Sequence, residues 1–241
     1  MRYDRSFYQA QRGRSATAAA VIAPLVHSLV PIRSVLDVGC GMGTWLAAFR
    51  ELGVQELQGI DGPHVCVEDL AIPRDLFRAY DLRQAFDLGS KFDLVVSIEV
   101  AEHLPQQCAA TFIETLARHG DAILFSAALP FQGGVDHVNE QWPSYWAELF
   151  RQHGFDAFDL IRPRIWNHDH LMYWYKQNLL LYARGPVSAI LGHAQAALRD
   201  SVYDLIHPQR YLELADPDRM SLRRAIRGVG AALRRKFAGR E

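Results

Sequence analysis

Short apolar runs alternate with stretches of helical periodicity along the first half of the chain. Runs bounded by glycine, proline or polar residues are typical of buried strands, and here they cover Ser34–Val38, Leu57–Ile60, Phe92–Ile98 and Ala122–Phe125. Helix-forming residues fill Thr44–Leu52 and Gln106–Arg118 between them. Repeated βα units of this length predict an α/β fold with a mostly parallel sheet and helices on both faces.

Two weaker patterns belong to the same half of the chain. A short strand is predicted around Leu76–Tyr80, and an amphipathic helix over Ser15–Leu29. Basic residues precede an apolar stretch in this N-terminal segment, as they do in a signal peptide. Because Pro24 and His27 interrupt the stretch, which is too short to span a bilayer, we interpret it as a helix that packs on the domain.

The pattern changes after Pro130. The segment FQGGVDHVNEQWPSY has neither helical nor strand periodicity and is rich in glycine, polar groups and aromatics, which indicates a functional loop. A helix is predicted over Tyr145–His153, followed by two strands, Phe155–Ile161 and Asn178–Tyr182, as an antiparallel pair at the sheet edge. From Gly185 onward the patterns are helical only.

Length and charge limit the classes of function. A chain of 241 residues with 49% hydrophobic and 22% charged residues predicts one large domain with appendages, and a formal net charge of −1 does not favour a nucleic-acid partner. The three cysteines, Cys40, Cys66 and Cys108, have no CxxC spacing, which favours a reducing cytoplasm.

A glycine-rich turn follows the first predicted strand. The sequence from Asp37 to Gly43 reads DVGCGMG, and glycines between a strand and a helix let the backbone approach a ligand closely. Asp61 ends the second strand, about twenty residues later, where a carboxylate can bind both ribose hydroxyls. The glycine spacing is GxGxG, and Thr44 stands where the dinucleotide fingerprint requires glycine. We therefore expect a nucleoside with a short charged tail, and a dinucleotide-dependent oxidoreductase is disfavoured.

These motifs, VLDVGCGMGTWL, GID and FDLVVSIEVAEHL with a closing antiparallel strand, resemble class I S-adenosylmethionine-dependent methyltransferases over residues 15–184. The resemblance implies a Rossmann-like seven-stranded sheet whose last strand is antiparallel, with S-adenosyl-L-methionine as the cofactor. It places Asp61 on the ribose and Asp81 near the adenine. The expected cofactor-binding residues are Asp37, Gly39, Cys40, Gly41, Gly43, Asp61, Gly62, Asp81, Leu82 and Glu99; Glu99 has the alternative role of bracing its loop.

Two histidines are candidates for the chemistry. A hydroxyl acceptor must lose a proton during methyl transfer, and histidine is the usual base near neutral pH. His103 follows the fourth strand, and His137 lies in the loop after the fifth; each has the alternative of a purely structural role. No metal site is expected, because the cluster His168, Asp169 and His170 has no matching Cys or Glu at metal spacing.

The sequence thus predicts a methyltransferase domain over residues 1–184 and a helical extension over 185–241. We expect O-methylation of a sugar or other small polar acceptor, since HVNEQWPSYW and WYKQNLLLY resemble bacterial methyltransferases of surface-polysaccharide pathways. An N- or C-methyltransferase acting on a small metabolite and a catalytically silent cofactor-binding scaffold remain alternatives. The last twenty-one residues carry seven basic residues and one acidic residue on an amphipathic helix, which packs on protein or contacts a membrane surface or an acidic partner.

Overall fold

The computed structural model describes residues 5–194, 204–216 and 220–238. Its seven-stranded sheet has the order β3-β2-β1-β4-β5-β7-β6, in which β7 is antiparallel to both of its neighbours. The strands are β1 (Ser34–Val38), β2 (Glu56–Asp61), β3 (Phe77–Ala79), β4 (Leu94–Ile98), β5 (Ala122–Ser126), β6 (Asp156–Phe158) and β7 (Leu180–Ala183). The predicted Rossmann-like sheet with an antiparallel last strand is confirmed, and the antiparallel pair β6–β7 forms one edge.

Helices surround the sheet. They are α1 (Arg5–Leu29), α2 (Thr44–Glu51), α3 (Ala109–His119), α4 (Pro143–Gln152), α5 (Arg162–Ile165), α6 (Tyr173–Asn178), α7 (Gly185–Ala194), α8 (Pro208–Ala215) and α9 (Leu222–Ala238). The helix predicted from Gln106 begins at Ala109, because Gln106–Cys108 forms a 3₁₀ turn after Pro105. The strand predicted from Phe92 begins at Leu94, since Phe92 makes only a single bridge to Gly120.

Alternate residues of the central strands point into two separate apolar cores. Val35, Leu94 and Leu124 belong to a core that includes residues of α1 and α2, whereas their neighbours Leu36, Val95 and Ile123 belong to a core with α3 and α4. Because side chains alternate across a strand, burial of both sets requires helices on both faces. This explains why the strand sequences are continuously apolar.

The strand order indicates where on the sheet a ligand should bind. From β1 the chain winds outward through β2 and β3, and it then returns to β4 on the other side of β1. Ligands of open α/β sheets bind at the carboxyl ends of the strands where the order reverses. The turn after β1 and the loop after β4 therefore lie on either side of the expected site.

The structure divides into two units, residues 1–205 and 206–241. In the first unit, α7 packs near β7, and its Ser188 hydroxyl donates a hydrogen bond to Asp156 Oδ2 at 3.0 Å. The second unit contains α8 and α9. None of the helices in the described segments has the length and hydropathy needed to cross a membrane.

Candidate active site

A cavity of about 1020 Å³ lies at the carboxyl ends of the central strands. One wall is formed by the glycine turn and the residues after β2 and β3, and the other by the loops after β4 and β5. Most of the candidate residues line it: Gly39, Cys40, Gly41, Asp61, Gly62, Asp81, Leu82, Glu99, His103 and His137. Asp37 and Gly43 lie outside the lining, in the strand and turn that support it.

In the glycine turn after β1, neighbouring side chains leave no room for a Cβ at one glycine but do leave room at another. Gly39 has a φ of 85°, and a Cβ there would overlap the side chain of Val100. Gly41 has a φ of 52°, and none of the described residues has an atom within 4 Å of the place a Cβ would take. Since Gly41 also lines the cavity, this open space is available to a ligand that approaches the backbone.

Asp61 ties the turn to the end of β2. Its Oδ2 accepts a hydrogen bond from the Gly41 N–H at 2.6 Å, and its Oδ1 accepts one from the Gly62 N–H at 2.6 Å. Burial raises the pKa of Asp61, while these two hydrogen bonds and the nearby His64 act in the opposite direction. The carboxylate is thus fixed beside the cavity, in the position expected for a ribose ligand.

Asp37 carries an unsatisfied acceptor beneath the same turn. It is buried in β1, and its Oδ2 has no hydrogen-bond partner among the described residues. Burial and the charge of Asp61 raise its pKa well above the usual range. A ligand with a positive charge near this turn would relieve both effects, so the residues present fit the cofactor that the motifs imply.

Asp81 lies on the cavity wall beyond β3. Its two carboxylate oxygens accept hydrogen bonds from the Arg83 guanidinium, both at 2.8 Å. This side-chain pairing and a backbone hydrogen bond from Arg83 lower the pKa of Asp81, which therefore carries a charge at neutral pH. Adenine recognition by Asp81 remains a prediction.

Amide side chains hold Glu99 at the opposite wall. Its carboxylate accepts hydrogen bonds from Gln132 Nε2 and Asn178 Nδ2, each at 3.1 Å. The Gln132 Oε1 in turn accepts from Asn178 and from Gln177, at 3.0 and 3.2 Å. Glu99 also has a left-handed φ of 55°, unusual for a residue other than glycine. The network fixes its carboxylate and joins α6 to the loops after β4 and β5.

Glu140 organises the loop after β5. Its carboxylate accepts hydrogen bonds from the backbone N–H groups of Phe131 and Gly133, both at 2.7 Å, and lies 3.0 Å from His137 Nδ1. A carboxylate can only accept a hydrogen bond, so His137 donates its Nδ1–H to Glu140. The loop therefore presents His137 in one tautomer.

The two candidate histidines lie side by side. Their ring centroids are 4.8 Å apart with an interplanar angle of 86°. Burial, with a smaller effect of His137, lowers the pKa of His103 to about 4, although a hydrogen bond to the backbone of Asp136 opposes the shift. His103 is consequently neutral at physiological pH.

A buried carboxyl group, Glu102, completes this group. It is fully buried, and neither of its oxygens has a partner at hydrogen-bonding distance among the residues that the structure describes. Burial, followed by the charge of Glu99, raises its pKa well above the usual range. Glu102, His103 and His137 each have one nitrogen or oxygen atom that could bind a metal, and these three atoms lie within 4.8 Å of one another. In the described part of the chain, His168, Asp169 and His170 do not form such a group.

Sequence reasoning missed several residues of this wall. It did not assign roles to Glu102, Gln132, Glu140, Gln177 and Asn178. The spacing of Glu102 beside His103, and of Glu140 three residues after His137, were the available signals. The aromatic segment Tyr173–Tyr175 also lines the cavity.

The geometry is that of a class I methyltransferase fold, and comparisons with known proteins agree. A family model described as a methyltransferase domain matches residues 8–171. The chain therefore belongs to this methyltransferase family, and it is an S-adenosylmethionine-dependent methyltransferase. No curated protein matches the chain in sequence.

Solved structures share the fold. An O-methyltransferase family protein from Burkholderia thailandensis is 16% identical with a TM-score of 0.56, over 74% of this chain and 58% of that protein. DesVI of Streptomyces venezuelae is 17% identical with a TM-score of 0.56, over 75% and 96% of the two chains. Magnesium protoporphyrin IX methyltransferase from Synechocystis, with bound S-adenosylmethionine, is 22% identical with a TM-score of 0.51, over 72% and 80%. At these identities the likeness concerns the fold alone.

Proposed function

We propose that this methyltransferase transfers the methyl group to a hydroxyl of a sugar or another small polar acceptor. The observation that carries the proposal is the presence of the His103–His137 pair in the same cavity as Asp61 and the open glycine turn. Ligand cavities usually measure about 300–1,000 Å³. A volume of about 1020 Å³ therefore has room for a cofactor and a small acceptor together.

The glycine-turn wall is the proposed cofactor side. Gly41 offers its open backbone, Asp61 its fixed carboxylate, and Asp81 a charged carboxylate at the far end. When bound, S-adenosylmethionine supplies a methyl group on a positively charged sulfur whose leaving group is neutral. The protein's main task is then to align the acceptor, because proximity and orientation supply much of the rate.

The opposite wall suits a polar acceptor that needs activation. His103 is neutral and can accept a hydrogen bond from a hydroxyl, although a pKa of about 4 makes it a weak base; His137 has its Nδ1 next to the carboxylate of Glu140. The carboxylate of Glu99, the side chain of Gln132 and the aromatic rings of Tyr173–Tyr175 line this wall, so it offers polar groups and flat apolar faces to a sugar.

An acceptor screen tests the proposal. The purified protein is incubated with S-adenosylmethionine and a panel of nucleotide sugars, glycans and amines, and release of S-adenosylhomocysteine is measured. We expect transfer to a hydroxyl, with rates at least 100-fold lower in His103→Ala and His137→Ala, the usual scale of acid–base assistance. S-adenosylhomocysteine affinity should stay unchanged in both variants. Transfer to an amine that neither variant slows would support the N-methyltransferase alternative instead.

We also propose that α9 attaches the protein to an anionic membrane surface. The helix contains six basic and no acidic residues, and its apolar side chains are exposed: Leu222, Ile226, Val229, Leu233 and Phe237. A basic amphipathic helix of this kind binds where acyl chains meet anionic headgroups. Co-sedimentation with vesicles containing phosphatidylserine, but not with pure phosphatidylcholine, is expected, and Ile226→Asp should abolish it. Equal recovery with both vesicle types would contradict the proposal.

A further inference from the structure

We propose that Glu102, His103 and His137 bind a divalent cation of the first transition series at the acceptor side of the cavity. One possible ligand atom from each residue lies within 4.8 Å of the others. Two ligands on one such cation lie about 3 to 4.4 Å apart, since each bond is about 2.0–2.2 Å. The side chains must therefore rotate toward one another to close the group around an ion.

The donor set selects the kind of ion. Two imidazole nitrogens and one carboxylate suit zinc, cobalt, iron or manganese better than calcium or magnesium, which prefer oxygen ligands. Three protein ligands leave at least one coordination position free, as is usual where a cation meets a substrate. All three residues line the cavity, so the free position opens toward the acceptor.

Glu102 supplies an independent reason to expect a ligand. Its side chain has no exposure to solvent, and both oxygens are without a hydrogen-bond partner among the described residues. Burying a carboxyl group in this situation is unfavourable unless a ligand or a hydrogen bond satisfies it.

Contacts behind the two histidines match those of metal ligands. Imidazoles that bind a cation usually donate their second N–H to a carboxylate or a backbone carbonyl, which fixes the ring and its tautomer. His137 Nδ1 lies 3.0 Å from the Glu140 carboxylate, and His103 has a hydrogen bond to the backbone of Asp136. Each ring therefore has the kind of supporting contact that fixes a metal-binding imidazole.

The backbone brings these distant residues together before any ion binds. The N–H groups of Val138 and Asn139 donate hydrogen bonds to the backbone carbonyl of Glu102, at 2.9 and 3.0 Å. They connect the loop after β5 to the loop after β4. The geometry of the group thus follows from the fold, and no large rearrangement is needed to assemble it.

The role of this cation in the reaction rests on the proposed function. A hydroxyl bound at the free position would lose its proton more easily, because the positive charge stabilises the alkoxide. The histidines would then activate the acceptor as ligands of the cation instead of taking the proton themselves. Binding of the ion can be tested without any acceptor, so the two proposals can fail separately.

Cobalt(II) titration of the metal-stripped full-length protein tests the site. We expect one equivalent to bind, with visible d–d absorption that indicates nitrogen and oxygen ligands. Glu102→Gln and His137→Ala should each weaken binding at least tenfold. His170→Ala is the matched control, because His170 belongs to the other histidine cluster, and it should bind cobalt like the wild type. S-adenosylhomocysteine affinity and the melting temperature report whether each variant is folded.

The outcomes separate clearly. Loss of cobalt binding in Glu102→Gln and His137→Ala, with S-adenosylhomocysteine binding retained, supports the site. Absence of stoichiometric binding to the wild type, or equal binding in all variants, overturns it, as does loss of binding in His170→Ala alone. If cobalt binds as expected but no hydroxyl acceptor is methylated in the screen, the site stands and the proposed O-methylation falls.

Discussion

Glu140 provides a direct test of how the loop after β5 is held. Its carboxylate accepts hydrogen bonds from two backbone N–H groups, at Phe131 and Gly133, and contacts the imidazole of His137. The substitution Glu140→Gln keeps the size of the side chain but removes its charge. It also replaces one oxygen with an NH₂ group, which cannot accept from any of the three donors.

The expected loss can be worked out from these contacts. A hydrogen bond to a charged group contributes about 1.5–3 kcal/mol to stability. If the acceptor becomes neutral but keeps its oxygen, the hydrogen bond is weakened but not lost. The Glu140 side chain is 20% exposed, so water replaces part of what the amide cannot provide. We expect the free energy of local opening to fall by about 2–3 kcal/mol. At about 1.4 kcal/mol per factor of ten, backbone hydrogen exchange should be about 30- to 150-fold faster in this loop.

Hydrogen exchange followed by mass spectrometry over peptides covering residues 131–141 measures the effect. Glu148→Gln is the matched control. Glu148 makes an ion pair with Arg151 on α4, and the Glu148 side chain is 51% exposed to solvent. It should change exchange less than twofold, because exposed ion pairs contribute little. Exchange in the loop that is no faster in Glu140→Gln than in Glu148→Gln would refute this account of the loop.

Three further substitutions probe other parts of the molecule. Gly41→Ala should leave a folded protein, because no atom of the described residues blocks the new methyl group and the left-handed φ costs alanine only about 1–2 kcal/mol. It should weaken S-adenosylhomocysteine binding at least tenfold by calorimetry; unchanged affinity would place the cofactor elsewhere. Asp37→Asn should be more stable than the wild type in the cofactor-free form, by a margin that grows as the pH rises above 3.8. The pKa of Asp37 is raised in the folded protein, so ionisation above pH 3.8 favours the unfolded wild-type chain; parallel pH profiles of the two proteins in urea unfolding would contradict this. Asp159→Ala should lower the free energy of unfolding by about 3 kcal/mol, because it leaves the buried Arg162 guanidinium without its carboxylate; a loss below 1 kcal/mol would show that the charge is compensated.

The sheet and the glycine-turn wall could be predicted because their signals are local. Strands β1, β4 and β5 are short apolar runs, and the turn that follows β1 is encoded by consecutive glycines. Asp61 could be named as a candidate because a carboxylate that binds ribose is expected at the end of the second strand, and the structure places Asp61 in the cavity lining. Such features depend on residues close together in the chain, so a single sequence is enough to show them.

The acceptor wall could be predicted only in part, because its geometry depends on long-range contacts. The histidines were identified as candidates one at a time, but His103 and His137 are thirty-four positions apart, and backbone hydrogen bonds to Glu102 bring them together. The network around Glu99 likewise needs side chains from α6, which is far along the chain. No spacing rule connects these positions, so their meeting appears only in the folded structure.

This difference between the two walls has a physical basis that bears on specificity. The glycine turn uses backbone geometry that any sequence with the right strand and turn can form, which suits a cofactor shared by many enzymes. The opposite wall is built from side chains on loops and on α6, with non-glycine residues in left-handed conformations at Glu99, Phe131 and Asp136. Such backbone conformations cost about 1–3 kcal/mol each and persist where the surroundings impose them. Because Glu140 holds Phe131 and the amide network holds Glu99, changes in a few side chains of this wall are expected to alter acceptor choice while cofactor binding stays the same.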